Sequence, residues 1–179
     1  MTKTRLSLYD TTLRDGQQTQ GVQFSTPEKH RIVEALDALG IDYIEGGWPG
    51  SNPRDDAFFA RAASGELQLD HSTLVAFGST RRPKGKVDED QTLANLIAAQ
   101  TEICCIVAKS WDYHVLEALR TTLDEGEAMI ADSVRFLHGA GRQVLVDLEH
   151  FFDGYKLSPE FSLRAIEAAV VNGGTHLVL

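Results

Sequence analysis

The amino-acid sequence predicts an α/β chain carrying the N-terminal portion, six strands long and incomplete, of a (β/α)8 TIM barrel. Short β-branched or apolar runs alternate with longer segments of helical period, the pattern of parallel strands joined by helical crossovers. Six such runs recur at intervals of about 25–40 residues, the cadence of an eight-stranded barrel, which typically needs ~250 residues. The chain has 179. A doubly wound sheet could use the same element order, but no glycine-rich dinucleotide fingerprint follows the first run. Residues 1–179 are therefore expected to form the N-terminal part of a single barrel domain that stops at its sixth strand, two βα units short.

The expected strands are RLSLYD, IDYIEGG, STLVAFG, EICCIVA, RQVLVDLE and THLVL. Between the first two, Ser25, Thr26 and Pro27 mark a helix start, because a hydroxyl can cap free amides and proline suits the first turn. Ile32, Ala35, Leu36 and Leu39 then make its apolar face, and Gly40 ends it. A second helix is expected from Asp56 to Ala63, a third through Leu93, Leu96 and Ile97, and a short extra one from Trp111 to Leu119. Ile130, Val134 and Leu137 recur at helical spacing before Gly139 and Gly141. Ser158 and Pro159 open a last helix carrying Ile166, Ala169 and Val170.

Composition narrows the partners. With 42% hydrophobic and 24% charged residues the chain has the balance of a folded globular protein. Its formal charge of -9, from 17 Lys and Arg against 26 Asp and Glu, would repel a polyphosphate backbone, which argues against nucleic acid. No apolar run reaches the ~18 residues of a membrane span, and the Thr-rich start lacks the apolar core of a secretory signal. A cytoplasmic protein without a membrane partner is expected. Cys104 and Cys105 are adjacent in ICCIVA, where successive strand side chains point to opposite faces and cannot readily bridge. Two core thiols fit a reducing compartment.

In parallel β/α folds functional groups gather at the carboxyl ends of strands. The first run ends in YDTTLRDGQQ, which sets Arg14 beside Asp15 with Gly16 available for a tight turn. Asp15 could hold a divalent metal while Arg14 neutralises an enolate or carboxylate; on spacing alone an ordinary loop ion pair is the commoner reading. Glu45 ends an otherwise apolar second run and needs a partner to stay ionised. Asp10 could orient Arg14, buttress the metal site or simply cap a turn. Glu149 ends the fifth run, and His150 after it would point to the opposite face if the strand continued. His30 and His138 are expected on helix surfaces. Lys109 and His114 follow the fourth strand without an assigned role, and Trp48 and Trp111 could line a pocket or pack. Arg81, Arg82, Lys84 and Lys86 form a basic loop, either solvated or set to meet phosphates.

The stretch LYDTTLRDGQQ resembles the signature of the family that contains 2-isopropylmalate synthase, homocitrate synthase, citramalate synthase and, more distantly, hydroxymethylglutaryl-CoA lyase. DYIEGGWPGSNPRD, AFGSTRR, KSWDYHVLEAL and EHFFDGYK resemble the citramalate synthase branch, so the likeness covers nearly the whole chain. Gln17 stands where the family usually has Glu or Ala. The resemblance implies a cytoplasmic acyltransferase of amino-acid biosynthesis, in which acetyl-CoA and a 2-oxo acid, pyruvate foremost, condense in Claisen fashion. Isopropylmalate or homocitrate synthesis, a lyase, or a non-catalytic half-barrel are the alternatives. It also implies Arg14 and Glu149 as catalytic residues, Gln18 as a substrate-binding residue, and Asp15 as a ligand of a divalent Mg, Mn or Zn ion; Glu45, which by its place could support the metal site, pair with Arg14 or serve structure alone, is expected with Gln18 on the substrate side. A homodimer is implied for the full-length protein. The family completes its metal site with two histidines of an HxH motif, which this sequence does not contain, so the chain by itself is expected to bind metal weakly and to be inactive.

Overall fold

A computed structural model describes residues 6–179. The chain packs as two units, one made of the chain up to Phe77 with Ala99–Glu102, the other of Gly78–Ala98 with Ile103–Leu179.

The first unit contains β1 (Tyr9–Asp10), α1 (Thr26–Leu39), β2 (Tyr43–Gly47), α2 (Pro53–Ala63) and most of β3 (Thr73–Ser79). β1 pairs parallel with β2, and β2 parallel with β3. The β1 ladder is shorter than RLSLYD suggested: only Tyr9 and Asp10 pair, with Tyr43 and Ile44, and Leu6 and Leu8 stay exposed. Arg5, the first residue of that run, lies outside the described residues. Ile44, Val75, Phe58 and Phe59 fill the core between strands and α2.

α1 starts where Ser25 and Pro27 predicted, with the Glu28 carboxylate accepting the Ser25 backbone N–H (2.7 Å). Its buried face differs from the expected one. Leu39 is exposed, and the residues turned inward are Val33 and, one turn before it, Lys29. α2 begins three residues earlier than expected, because Asn52 caps it by accepting from Arg54 and Asp55 N–H (3.1 and 3.0 Å) and Pro53 occupies the first turn.

The second unit contains α3 (Gln91–Ala98), β4 (Ile103–Lys109), α4 (Leu123–Gly139), β5 (Gln143–Glu149), α5 (Phe151–Leu157), α6 (Pro159–Val171) and β6 (Gly174–Val178). β4 pairs parallel with β5 over seven residues, and β5 parallel with β6. Within this unit Thr80 donates its N–H to the Val107 carbonyl of β4 (3.3 Å). The extra helix expected at Trp111 is a five-residue π turn, His114–Ala118. α5 was not foreseen. His150 takes a left-handed backbone (φ +55°), ends β5 and caps this helix, so EHFFDGYK continues neither as strand nor as loop. α5 lies so close to the exit of β4 that a side-chain carbon at Gly154 would come 2.9 Å from both Trp111 Cα and Ser162 Oγ. α6 buries Phe161, Ala165 and Ala169, while Val170 is exposed. Cys104 and Cys105 are buried and unbridged, as expected. Among the described residues no helix is long and apolar enough to cross a membrane.

One carboxylate straps the first unit from outside its core. Asp37 accepts the backbone N–H groups of Ser72 (2.6 Å), Asp70 and His71 (3.0 Å each), fixing the approach to β3. These bonds, Ser72 first, hold its carboxyl at about 2 against an ordinary 3.8. Because the folded value is the lower one, the stabilisation is complete above about pH 4 and disappears as pH falls towards 2. Asp37→Asn is expected to lower the urea midpoint at pH 6, and this gap to the wild type should close between pH 4 and 2. A gap of constant size across that range would count against the strap.

Candidate functional site

The exit of β1 is built by local hydrogen bonds. Asp10 accepts both the N–H (2.9 Å) and the hydroxyl (3.1 Å) of Thr12, which makes it a turn-former. The Thr11 carbonyl then accepts from Arg14, Asp15 and Gly16 N–H (3.1, 2.9 and 3.1 Å), and Leu13, fully buried, pins the loop to the core. Gly16–Gln18 form one 3-10 turn. A loop so constrained presents Arg14 in a fixed direction.

The Arg14 side chain, 15% exposed, is held on three sides. Its Nε donates to Glu45 Oε1, its Nη1 donates to Asp15 Oδ1 (3.0 Å), and its guanidinium lies 3.9 Å over the Phe77 ring. Glu45 is 1% exposed, and Tyr9 Oη donates to its other oxygen (2.6 Å). Its carboxylate thus faces Arg14 and Tyr9. Tyr9 was not singled out from the sequence; its place at the end of β1, in register with Tyr43 beside Glu45, was the available signal. Arg14 lines a cleft of about 430 Å³ with Gln17, Gln18, Trp48, Asn52 and Arg54. Trp48 both lines the cleft and packs edge-on against Phe77.

Asp15 is 61% exposed, one oxygen accepting from Arg14. A hard divalent cation wants several oxygen or nitrogen ligands, and among the described residues no group of three His, Cys, Asp or Glu is placed to hold one. The Asp15 carboxylate points outward and leaves its second oxygen open to solvent.

Lys29, fully buried, went unnoticed in the sequence because a lysine inside a helical stripe reads as surface. Its Nζ donates to Asp55 Oδ1 (2.5 Å) and to the Gly46 carbonyl (2.8 Å). Burial lowers its pKa and the Asp55 carboxylate pulls it back up. His30 beside it is half-buried, edge-on to Phe58, and not the surface residue expected.

In the second unit polar groups collect at the ends of β4 and β5. Lys109 and Glu149 sit opposite each other in the ladder and are ion-paired. Ser110 Oγ donates to the Glu149 carbonyl (3.0 Å), and Ser162 Oγ to the Ser110 carbonyl (2.8 Å). His114 Nδ1 is buried without a hydrogen bond among the described residues, 3.9 Å from Glu149 Oε2. Its ring packs on Trp111 and meets His150 edge-on. Burial, then the Lys109 charge, lowers the His114 pKa and favours the neutral imidazole.

Of the basic loop, Arg82, Lys84 and Lys86 are exposed, as a solvated loop would have them, and Arg81 is the exception. Arg81 is 5% exposed, donates to Asp132 Oδ2 through Nε and Nη2 (3.1 and 2.8 Å) and to Glu125 through Nη1 (2.6 Å), while Lys86 pairs with Glu89. Burial disfavours the Arg81 cation, but the two carboxylates outweigh it and raise its pKa. Arg81 is therefore committed to α4, and of the four only the exposed residues could meet a phosphate.

A parallel β/α ladder with arginine and carboxylates at its strand ends defines a chain of the β/α barrel class. The sequence matches the HMGL-like family over residues 5–179, and the chain belongs to that family. Similar proteins include the (R)-citramalate synthase of Aquifex aeolicus (strain VF5), 50% identical over 98% of this chain and 33% of the relative. The 2-isopropylmalate synthase of Verminephrobacter eiseniae (strain EF01-2) is 33% identical over 97% of this chain and 32% of its own. The crystal structure of hydroxymethylglutaryl-CoA lyase from Pseudomonas aeruginosa matches with a TM-score of 0.72 at 16% identity, covering 97% of this chain and 56% of the lyase. The fold is thus the incomplete (β/α)8 barrel expected. The chain spans about a third of the length of the curated relatives it matches.

Arg81→Met should leave Glu125 and Asp132 without their shared cation and cost about 2–4 kcal/mol, the lower side of a broken buried pair because both carboxylates keep some solvent. Urea unfolding measures this; a loss near zero would mean that the loop is not anchored by Arg81.

Proposed function

We propose that this chain belongs to an enzyme that condenses acetyl-CoA with a 2-oxo acid, pyruvate in the first place, to give citramalate. The observation that carries the reading is the identity gap: 50% to a citramalate synthase against 33% to an isopropylmalate synthase, each over nearly all of this chain. The unbridged Cys104 and Cys105 agree with a cytoplasmic setting.

In this reading the methyl carbon of acetyl-CoA, once deprotonated, bonds to the keto carbon of pyruvate, whose carbonyl electron pair becomes an alkoxide; thioester hydrolysis then frees coenzyme A. Arg14 stabilises that alkoxide or the substrate carboxylate, its guanidinium being a fixed donor that is already aimed and so needs no reorganisation. Glu45 contributes through Arg14: as the buried acceptor of Nε it fixes the guanidinium, whose Nη1 donates to Asp15, at the wall of the cleft. Gln18 offers an amide to the substrate from the wall of that cleft. Asp15 would hold a divalent Mg, Mn or Zn ion as one of its ligands; such an ion, when bound, polarises the keto group. Glu149, ion-paired with Lys109, serves the same reaction from the end of β5. A homodimer is the proposed assembly of the whole protein.

The test is to assay the whole protein with acetyl-CoA and a series of 2-oxo acids, following coenzyme A release. Pyruvate should give the highest kcat/KM; preference for a branched 2-oxo acid, or no condensation with any, would overturn the reading. Asp15→Ala should abolish divalent-ion-dependent turnover, by a factor of at least about 10³, with the circular dichroism spectrum unchanged. Full activity in that variant would remove Asp15 from the metal site.

A further inference from the structure

We propose that the buried Lys29–Asp55 pair is a positioning device for Arg14, acting through the turn between β2 and α2. The proposal rests on Arg14 being the catalytic arginine of the reading above.

The pair does not serve helix packing alone. Two buried charges are costly to desolvate, and apolar side chains of similar volume fill such a site as well or better. What an apolar pair cannot supply is directed hydrogen bonds, and here they converge on the three residues that follow Glu45. Lys29 Nζ donates to the Gly46 carbonyl (2.8 Å), and Asp55, held by the same Nζ through Oδ1, accepts the Trp48 N–H at Oδ2 (3.0 Å). Gly47 lies between them with φ +143°, and a side-chain carbon there would fall 2.7 Å from the Asp55 carboxylate and 2.9 Å from Lys29 Nζ. The ion pair occupies the space a side chain at 47 would need.

The register of β2 against β3 slips at this point: Glu45 faces Val75, and Gly47 faces Ala76. Gly46 is the extra residue of a bulge, a device that re-aims the side chains around it. On one side of the bulge Glu45 takes Arg14 Nε; on the other Trp48 packs edge-on against Phe77 (5.4 Å between ring centres), the ring beneath the guanidinium. Both supports of Arg14 therefore depend on how the bulge is held, and Lys29 and Asp55 are what hold it. Neither residue touches the guanidinium, so both are positioning residues.

The experiment replaces the pair with apolar residues, Lys29→Met with Asp55→Leu, in the whole protein. The expected result is a folded variant whose kcat falls about 10- to 100-fold, with the KM for acetyl-CoA unchanged, as a small misplacement of a catalytic group predicts. Independently of turnover, the Arg14 Nε–H proton, assigned by NMR through its loss in Arg14→Lys, should exchange with solvent at least tenfold faster. Unchanged kcat together with unchanged exchange would overturn the proposal. Should the whole protein show no condensation activity, the functional reading fails while the exchange measurement still decides this one. If the double variant does not fold, Asp55→Asn takes its place. It keeps an acceptor for Trp48 but loses the charge opposite Lys29, so faster exchange is again expected and unchanged exchange again overturns the idea.

Discussion

A carboxylate at the end of β2 has to be paired, and the first unit is arranged around that requirement. Glu45 is buried to 1% exposure, opposite Val75 in the β2–β3 ladder. An unpaired charge there would be costly to desolvate. Arg14 and Tyr9 satisfy it from the end of β1, so the short β1 ladder and the loop after it have their direction set by the end of β2. The same bond that solves the burial of Glu45 removes most of the freedom of Arg14, and a guanidinium that is already oriented is what a site for developing negative charge needs.

The strands and most helices were legible because each rests on local pattern. ICCIVA is buried on both faces and reads as a continuous apolar run, VLVDLE opens on an apolar stretch, and Ser25–Pro27 and Ser158–Pro159 opened helices where their chemistry said they should. The failures lie where tertiary contacts override the pattern. Leu39 looked like core and is exposed, while Lys29 looked like surface and is fully buried, because a partner 26 residues away neutralises it. No reading along one helix can reveal that partner. α5 escaped because its start depends on a single left-handed histidine, a conformation that residue type signals only weakly.

The site was legible in outline for a different reason. Arg14, Asp15 and Gln18 stand together in one short segment, so sequence adjacency alone brought them to one loop. The groups that qualify their chemistry do not. Tyr9, Phe77 and Trp48 come from three strand ends, and the pairing of Lys109 with Glu149 joins two strands whose register only the fold supplies. The basic loop illustrates the same limit, since Arg81 resembles its neighbours in sequence and differs from them entirely in having two carboxylates of α4 within reach.

Gly154 carries a consequence for how this chain can vary. Two backbones and a hydroxyl crowd one point there: α5, the segment leaving β4 at Ser110 and Trp111, and Ser162 Oγ of α6. Even a methyl group would wedge them apart, and the displaced segment would be the one that follows directly on Glu149. Drift at position 154 is thus confined to the smallest residue by a need to keep a carboxylate five positions away from swinging, so an evolutionary constraint on a glycine would report on the aim of a side chain that the glycine never touches.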